Sequence, residues 1–113
     1  MTDQSTTYPA RDEFGAQVSR AGIVGIFAAN LFAAEGTATG VQQAGKQGEI
    51  TVVGFDAGPA QVQALKDGIV QALVAQEPAT IGKEGVAQAL AALNGESVEE
   101  EIQTGFTIIT ADN

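Results

Sequence analysis

Continuous apolar runs of strand length alternate with longer helix-like stretches along this chain, and this alternation restricts its fold more than any other feature. IVGIFAA (23–29), ITVVGF (50–55) and IVQALVA (69–75) carry no regular polar alternation. Strands of this kind are buried on both faces, as in a parallel sheet covered by helices. The stretches between them have helix signals. LFAAEGTATGVQQAG (31–45) follows Asn30, a good N-cap residue. Phe32, Gly36 and Gly40 fall on neighbouring turns of one face, where glycines let a helix approach a sheet closely. GPAQVQALKDG (58–68) has Pro59 in its first turn and Gly68 as its stop. ATIGKEGVAQALAALNG (79–95), after Pro78, places Ile81, Val86, Leu90 and Leu93 on one stripe and ends at Gly95.

At the amino terminus, ARDEFGAQVSRAG (10–22) predicts a short helix, with Phe14 and Val18 one turn apart and Gly22 at its end. Residues 1–9 are polar and close with Pro9, which predicts an irregular arm. ESVEEE (96–101) reads as a solvated acidic link, and IQTGFTIITADN (102–113) carries a last strand over residues 104–110 that adds at a sheet edge. The expected organisation is the arm, then a single α/β lobe over residues 10–113. Its architecture is a three-layer parallel sheet with helices on both faces, and ligands of such sheets bind beyond the carboxyl ends of the strands.

Composition narrows the function. The formal net charge is −9, with only Arg11, Arg20, Lys46, Lys66 and Lys83 as bases. Phosphate contacts need clustered Lys and Arg, so nucleic acid is not an expected partner, nor is an acidic lipid surface. Solubility accounts for the charge. The chain has no histidine and no cysteine, which removes the usual general base and the ligands of a zinc site. No apolar run reaches the ~18 residues of a membrane span, and the polar start MTDQSTTYPARDEF lacks the apolar core of a secretory signal. As written, the chain is expected to remain in the cytosol.

Signals for catalysis are weak. The glycines of GIVGIF (22–27) lie at the start of a strand and not after it, so they make no dinucleotide fingerprint, and no phosphate-binding loop occurs. No cofactor is implied. Asp56 and Glu77 form a conceivable glycosidase pair, but nothing in the sequence supplies a cleft between them. The consecutive acids of VEEEI (98–102) cannot all face one metal ion. The chain is expected not to be an enzyme.

Three polar side chains stand out. Asn30, Asp56 and Gln76 each follow an apolar run directly. In neighbouring parallel strands they would emerge along one rim at ~5 Å per strand. A carboxylate offers acceptors, and each amide offers both a donor pair and an acceptor. That inventory suits a neutral polyol, whose hydroxyls both donate and accept. Structural readings stand beside this one. Asn30 caps a helix, and Asp56 forms an Asx-type turn before Pro59. Gln76 is a poor cap.

VGIFAAN, ITVVGFDAGPAQVQALKDGIVQALVAQEPATIGKEGVAQAL and TGFTIIT resemble the carboxyl-terminal part of the bacterial sugar-binding proteins of ABC importers, of the ribose-binding-like type. The resemblance spans residues 23–113. It rests on Asn30 with Gly36 six residues later, the GFD strand end, the KDG…AQ-P segment and the IG…G helix. It implies one flavodoxin-like or Rossmann-like half of a two-lobed periplasmic receptor. It also implies that Asn30, Asp56 and Gln76 contact a monosaccharide, and that an ABC permease is a partner. Leu31 departs from the acid this family usually has after the Asn. Repressors of the lactose-operon type share the fold, but their LTT-type segment and helix-turn-helix are missing here. By this resemblance the chain is less than half of a family member and lacks its amino-terminal lobe. The stripe on helix 79–95 then needs cover, which points to a homodimer, an exchanged dimer or the missing lobe. A self-associating or partner-completed scaffold without its own ligand is the alternative.

Overall fold

The computed structural model describes residues 22–113, and four strands and three helices alternate along them in the order β1 (Gly25–Phe27), α1 (Leu31–Gln43), β2 (Thr51–Phe55), α2 (Pro59–Lys66), β3 (Ala72–Gln76), α3 (Pro78–Leu93) and β4 (Phe106–Thr110). The expected arm and residues 10–21 of the expected first helix lie outside the described residues. The strands form one sheet in the order β1-β2-β3-β4. β1 pairs with β2 in parallel, Phe27 opposite Val53, and β2 pairs with β3 in parallel, Phe55 opposite Val74. The α/β class expected from the alternation is therefore the class observed, and β4 is the edge strand beside β3.

The chain divides into two compact units. One comprises the residues up to Val74 together with Ile108–Asn113, and the other is Ala75–Thr107. The first holds the core. Val41 of α1, Val52 of β2, Ala64 and Leu65 of α2, and Leu73 of β3 cluster with Ile50, Ile69 and Val70, and Ile109 of β4 packs against them. In β2 burial alternates: Val52 and Gly54 are buried, whereas Thr51, Val53 and Phe55 are exposed or half-buried. The cores of α1 and α2 therefore meet the face of β2 that carries Val52 and Gly54.

α1 buries Ala34, Thr37, Gly40 and Val41. Of the face expected through Phe32, Gly36 and Gly40, only Gly40 is buried; Phe32 is 59% exposed. Sterics explain the shift. A Cβ at Gly54 would lie 2.9 Å from Leu73 Cδ2 and 3.4 Å from Ala34 Cβ. Leu73 of β3 fills the space over Gly54, and Ala34 of α1 meets it in ordinary contact, so a small residue of the helix faces the strand there.

The run IVQALVA does not enter the sheet as a whole. Strand β3 starts only at Ala72, because the N–H groups of Ile69 and Val70 donate back to Ala64 O at 2.9 and 3.2 Å. Both side chains are nonetheless buried. Gly68, at φ +74, lets α2 end in this way: its own N–H reaches Leu65 O while the next N–H reaches Ala64 O, the paired bonds of a Schellman cap. α1 and α3 end with the same bonds around Gly45 and Gly95. Gln71 then opens the β2–β3 ladder. Its N–H donates to Val52 O at 2.9 Å, and its side-chain Oε1 accepts from Val52 N at 2.7 Å.

The second unit is built on α3. None of its residues is buried, and Val86 and Leu93 are 70% and 84% exposed. The segment after Gly95 returns along this helix, where Glu99 N–H donates to Gln88 Oε1 at 2.9 Å. Together they form a shallow groove lined by Ile81, Glu84, Gln88, Glu99, Ile102 and Thr104. The acidic link is solvent-exposed, as its composition predicts. Among the described residues no helix is long and apolar enough to cross a membrane.

The close approach at Gly54 has a measurable consequence. Gly54→Ala should destabilise the chain by about 1–3 kcal/mol through overpacking against Leu73 and Ala34. Urea denaturation should show a lower midpoint with an unchanged slope.

Candidate functional site

β1 leaves the sheet at Phe27, opposite Val53, and β2 continues to Phe55, opposite Val74. Asn30 and Asp56 each lie three residues beyond the register pair Phe27–Val53. Ladder bonds reach close to both: Ala28 N–H donates to Val53 O at 2.9 Å, and Asp56 N–H donates to Val74 O at 2.8 Å. Asn30 and Asp56 thus both lie in connections that follow the carboxyl-terminal ends of two adjacent parallel strands. Gln76 is the last residue of β3, is exposed, and belongs to the second unit.

Asn30 has an extended backbone (φ −155°, ψ 174°), and its Oδ1 accepts from Ala33 N at 2.8 Å. The capping reading of this residue is thus realised. Capping occupies only the oxygen, and the NH2 group of the same amide takes no part in it. Position 31 is Leu, so the helix opens without an acid in its first turn.

Asp56 is the non-glycine residue with positive φ, +66°, among the described residues. The left-handed region is unfavourable for most side chains but open to Asp and Asn, whose short polar groups bond locally. Such conformations persist where surrounding structure enforces them, and they concentrate at ligand sites. Here the ladder bond from Asp56 N to Val74 O holds the residue in the sheet just before the chain swings into α2. Its side chain is half-buried.

Sequence reasoning did not single out Gln61. This residue is the third of α2 and is 2% exposed. Its Nε2 donates to Leu31 O at 3.0 Å, so it ties the first turn of α2 to the first turn of α1. The available signal was its position three residues after the Gly58 N-cap, where Gln is favoured by capping patterns. Between α1 and α2, an open groove of about 350 Å³ is lined by Glu35, Thr39, Gln42, Gln63, Asp67 and neighbouring alanines. Among the described residues no three acidic side chains approach closely enough to hold a metal ion.

A sequence profile of the periplasmic binding protein domain matches residues 3–97. The chain belongs to the periplasmic binding protein family. Among its relatives is the ribose import binding protein of Haemophilus influenzae, 37% identical over 92 residues; the match covers 81% of this chain and 31% of that protein. The ribose import binding protein of Escherichia coli is 37% identical over 84 residues, covering 74% of this chain and 28% of the relative. A solved ABC transporter solute-binding protein of Agrobacterium vitis, bound with α-D-tagatopyranose, superposes with a TM-score of 0.81 at 42% identity, covering 91% of this chain and 36% of that one. A carbohydrate transporter solute-binding protein of Agrobacterium radiobacter, in complex with D-arabinose, gives a TM-score of 0.80 at 32% identity, covering 90% and 35%. The chain thus spans only 28–31% of the length of the ribose import binding proteins it matches. These relatives are solute-binding proteins of importers.

Two substitutions separate local structure from chemistry in this periplasmic binding protein segment. Asp56→Gly should be more stable than Asp56→Ala by about 1 kcal/mol, since only glycine relieves the left-handed backbone. Thermal melts of the two variants check this. At the other strand end, Asn30→Ala should lose about 1 kcal/mol with the cap, whereas Asn30→Asp should retain the helix because a carboxylate caps equally well.

Proposed function

We propose that this chain is the carboxyl-terminal part of a sugar receptor of an ABC importer, and that Asn30, Asp56 and Gln76 contact the monosaccharide. The observation that supports this reading is the register of β1 and β2, in which Asn30 and Asp56 each follow the pair Phe27–Val53 by three residues. It stands in a chain 42% identical to a receptor bound with tagatopyranose. Chemistry supports the same reading. Asp56 supplies acceptors to sugar hydroxyls, and charge-assisted bonds of this kind contribute about 1.5–3 kcal/mol each. The Asn30 NH2 group supplies donors to ring or hydroxyl oxygens while its oxygen serves the cap. Gln76, with a donor pair and an acceptor, serves a hydroxyl of either sense. Residues 10–113 then form one lobe of a two-lobed receptor that works in the periplasm with an ABC permease.

A partner-completed role is favoured by a separate observation. α3 buries none of its residues, and Val86, Leu90 and Leu93 are exposed. Each large apolar side chain left in water forgoes about 1.5–3 kcal/mol. The cover is supplied by the remaining lobe of the receptor or by a second copy of the chain. In the second case the protein is a homodimeric scaffold whose ligand affinity is weak or lost.

Isothermal titration against a panel of pentoses and hexoses decides between binding and scaffold. Heat with the wild-type chain, lost in both Asp56→Ala and Asn30→Asp, is the expected result. Silence across the panel at millimolar sugar would leave only the scaffold reading. Light scattering combined with hydrogen exchange tests the cover of α3: a dimer with protected α3 amides is expected for the isolated chain, and a monomer with unprotected α3 would refute self-association.

A further inference from the structure

Gln61 joins the starts of α1 and α2, the helices that follow Asn30 and Asp56. Its side chain is 2% exposed and lies thirty positions from its hydrogen-bond partner. The Nε2 group donates to the carbonyl of Leu31, the residue next to Asn30, at 3.0 Å. The Oε1 atom sits against the β2–α2 connection, 2.7 Å from where a Cβ at Gly58 would stand. The backbone of Gly58, φ −68° and ψ 167°, is one that any residue adopts. Glycine is needed there for space and not for conformation. The same absent Cβ would also crowd Leu31 Cδ1 at 3.1 Å.

Energetics makes the choice of glutamine informative. Oε1 is buried with no hydrogen-bond partner among the described residues, and an unpaired buried polar atom is unfavourable. A leucine would fill the same space without that penalty. What leucine lacks is the donor to Leu31 O. That donor is the feature that couples the start of α1 to the start of α2.

We infer that Gln61 is a positioning residue for the sugar site: it holds the Asn30 and Asp56 connections in one arrangement, and Gly58 is glycine to admit its amide. The inference rests on the reading of Asn30 and Asp56 as sugar contacts, and its structural half can be tested without sugar.

The test uses the full chain with Gln61→Leu, Gly58→Ala, Gln61→Ala and the double variant Gly58→Ala/Gln61→Ala. Amide exchange by NMR is read at Ala33, whose N–H donates to Asn30 Oδ1, relative to Val52 in the central strand. Using the ratio removes any change in global stability. Gln61→Leu should raise the Ala33 to Val52 ratio about tenfold, the effect of losing one buried hydrogen bond. Gly58→Ala should act in the same direction with Gln61 present and add a smaller increment in the Gln61→Ala background, where only the crowding of Leu31 Cδ1 remains. Affinity for the tightest sugar of the panel should fall by a similar factor in Gln61→Leu and in Gly58→Ala. An unchanged ratio in both single variants, or an equal increment from Gly58→Ala in both backgrounds, overturns the inference. A shifted ratio with undiminished sugar affinity also overturns the positioning role. If Gln61→Leu fails to fold, Gly58→Ala decides alone, since it keeps the glutamine. A wild-type chain that binds no sugar defeats the proposed function, and the exchange ratio still reports whether Gln61 couples the two connections.

Discussion

Strand β2 is hydrogen-bonded on both sides, and the position of every other feature of the first unit follows from its register. Parallel pairing with β1 sets Phe27 opposite Val53, and pairing with β3 sets Phe55 opposite Val74. The side-chain period of a strand is two residues, so a slip of one position would turn Val52 and Gly54 out of the core and Val53 and Phe55 into it. A side chain at position 54 would meet Leu73 Cδ2, which stands 2.9 Å from where its Cβ would lie. The space over Gly54 therefore favours the observed register, in which Asn30 and Asp56 each follow the pair Phe27–Val53 by three residues.

Those two residues show that a local structural task need not use up a side chain's hydrogen-bonding capacity. A helix cap uses the oxygen of Asn30 and leaves its nitrogen to other chemistry. The left-handed conformation of Asp56 is tolerated by its short polar side chain, and it turns the chain from the sheet edge into α2. A residue that performs the local task with only part of its hydrogen-bonding capacity is suited to carry a second task at the same place.

The second unit presents the opposite situation. Val86, Leu90 and Leu93 share one face of α3 while Ile81 lies on another, beside Gln88; Pro78 stands in the first turn after Glu77, which makes no side-chain cap bond, and the bonds around Gly95 close the last turn. Helix formation is thus specified locally, while the burial that ordinarily stabilises an amphipathic helix is not supplied within this segment. The chain spans about 31% of the length of a ribose import binding protein.

The sequence by itself determined the alternation of strands and helices, the helix start at Asn30, the glycine stops at Gly45, Gly68 and Gly95, and the polar residues at the strand ends. Each is a matter of period, propensity or a single backbone torsion, which are local properties. Tertiary structure decided the rest. Ile69 and Val70 read as strand but return their N–H groups to α2, since burial shows in composition while the routing of hydrogen bonds does not. Phe32 read as a packing residue but is exposed, because the phase of α1 depends on which side chains fit against Gly54. The positive φ of Asp56 and the bond from Gln61 to Leu31 arise only when segments far apart in the chain are brought together, and no local pattern encodes a distance between them.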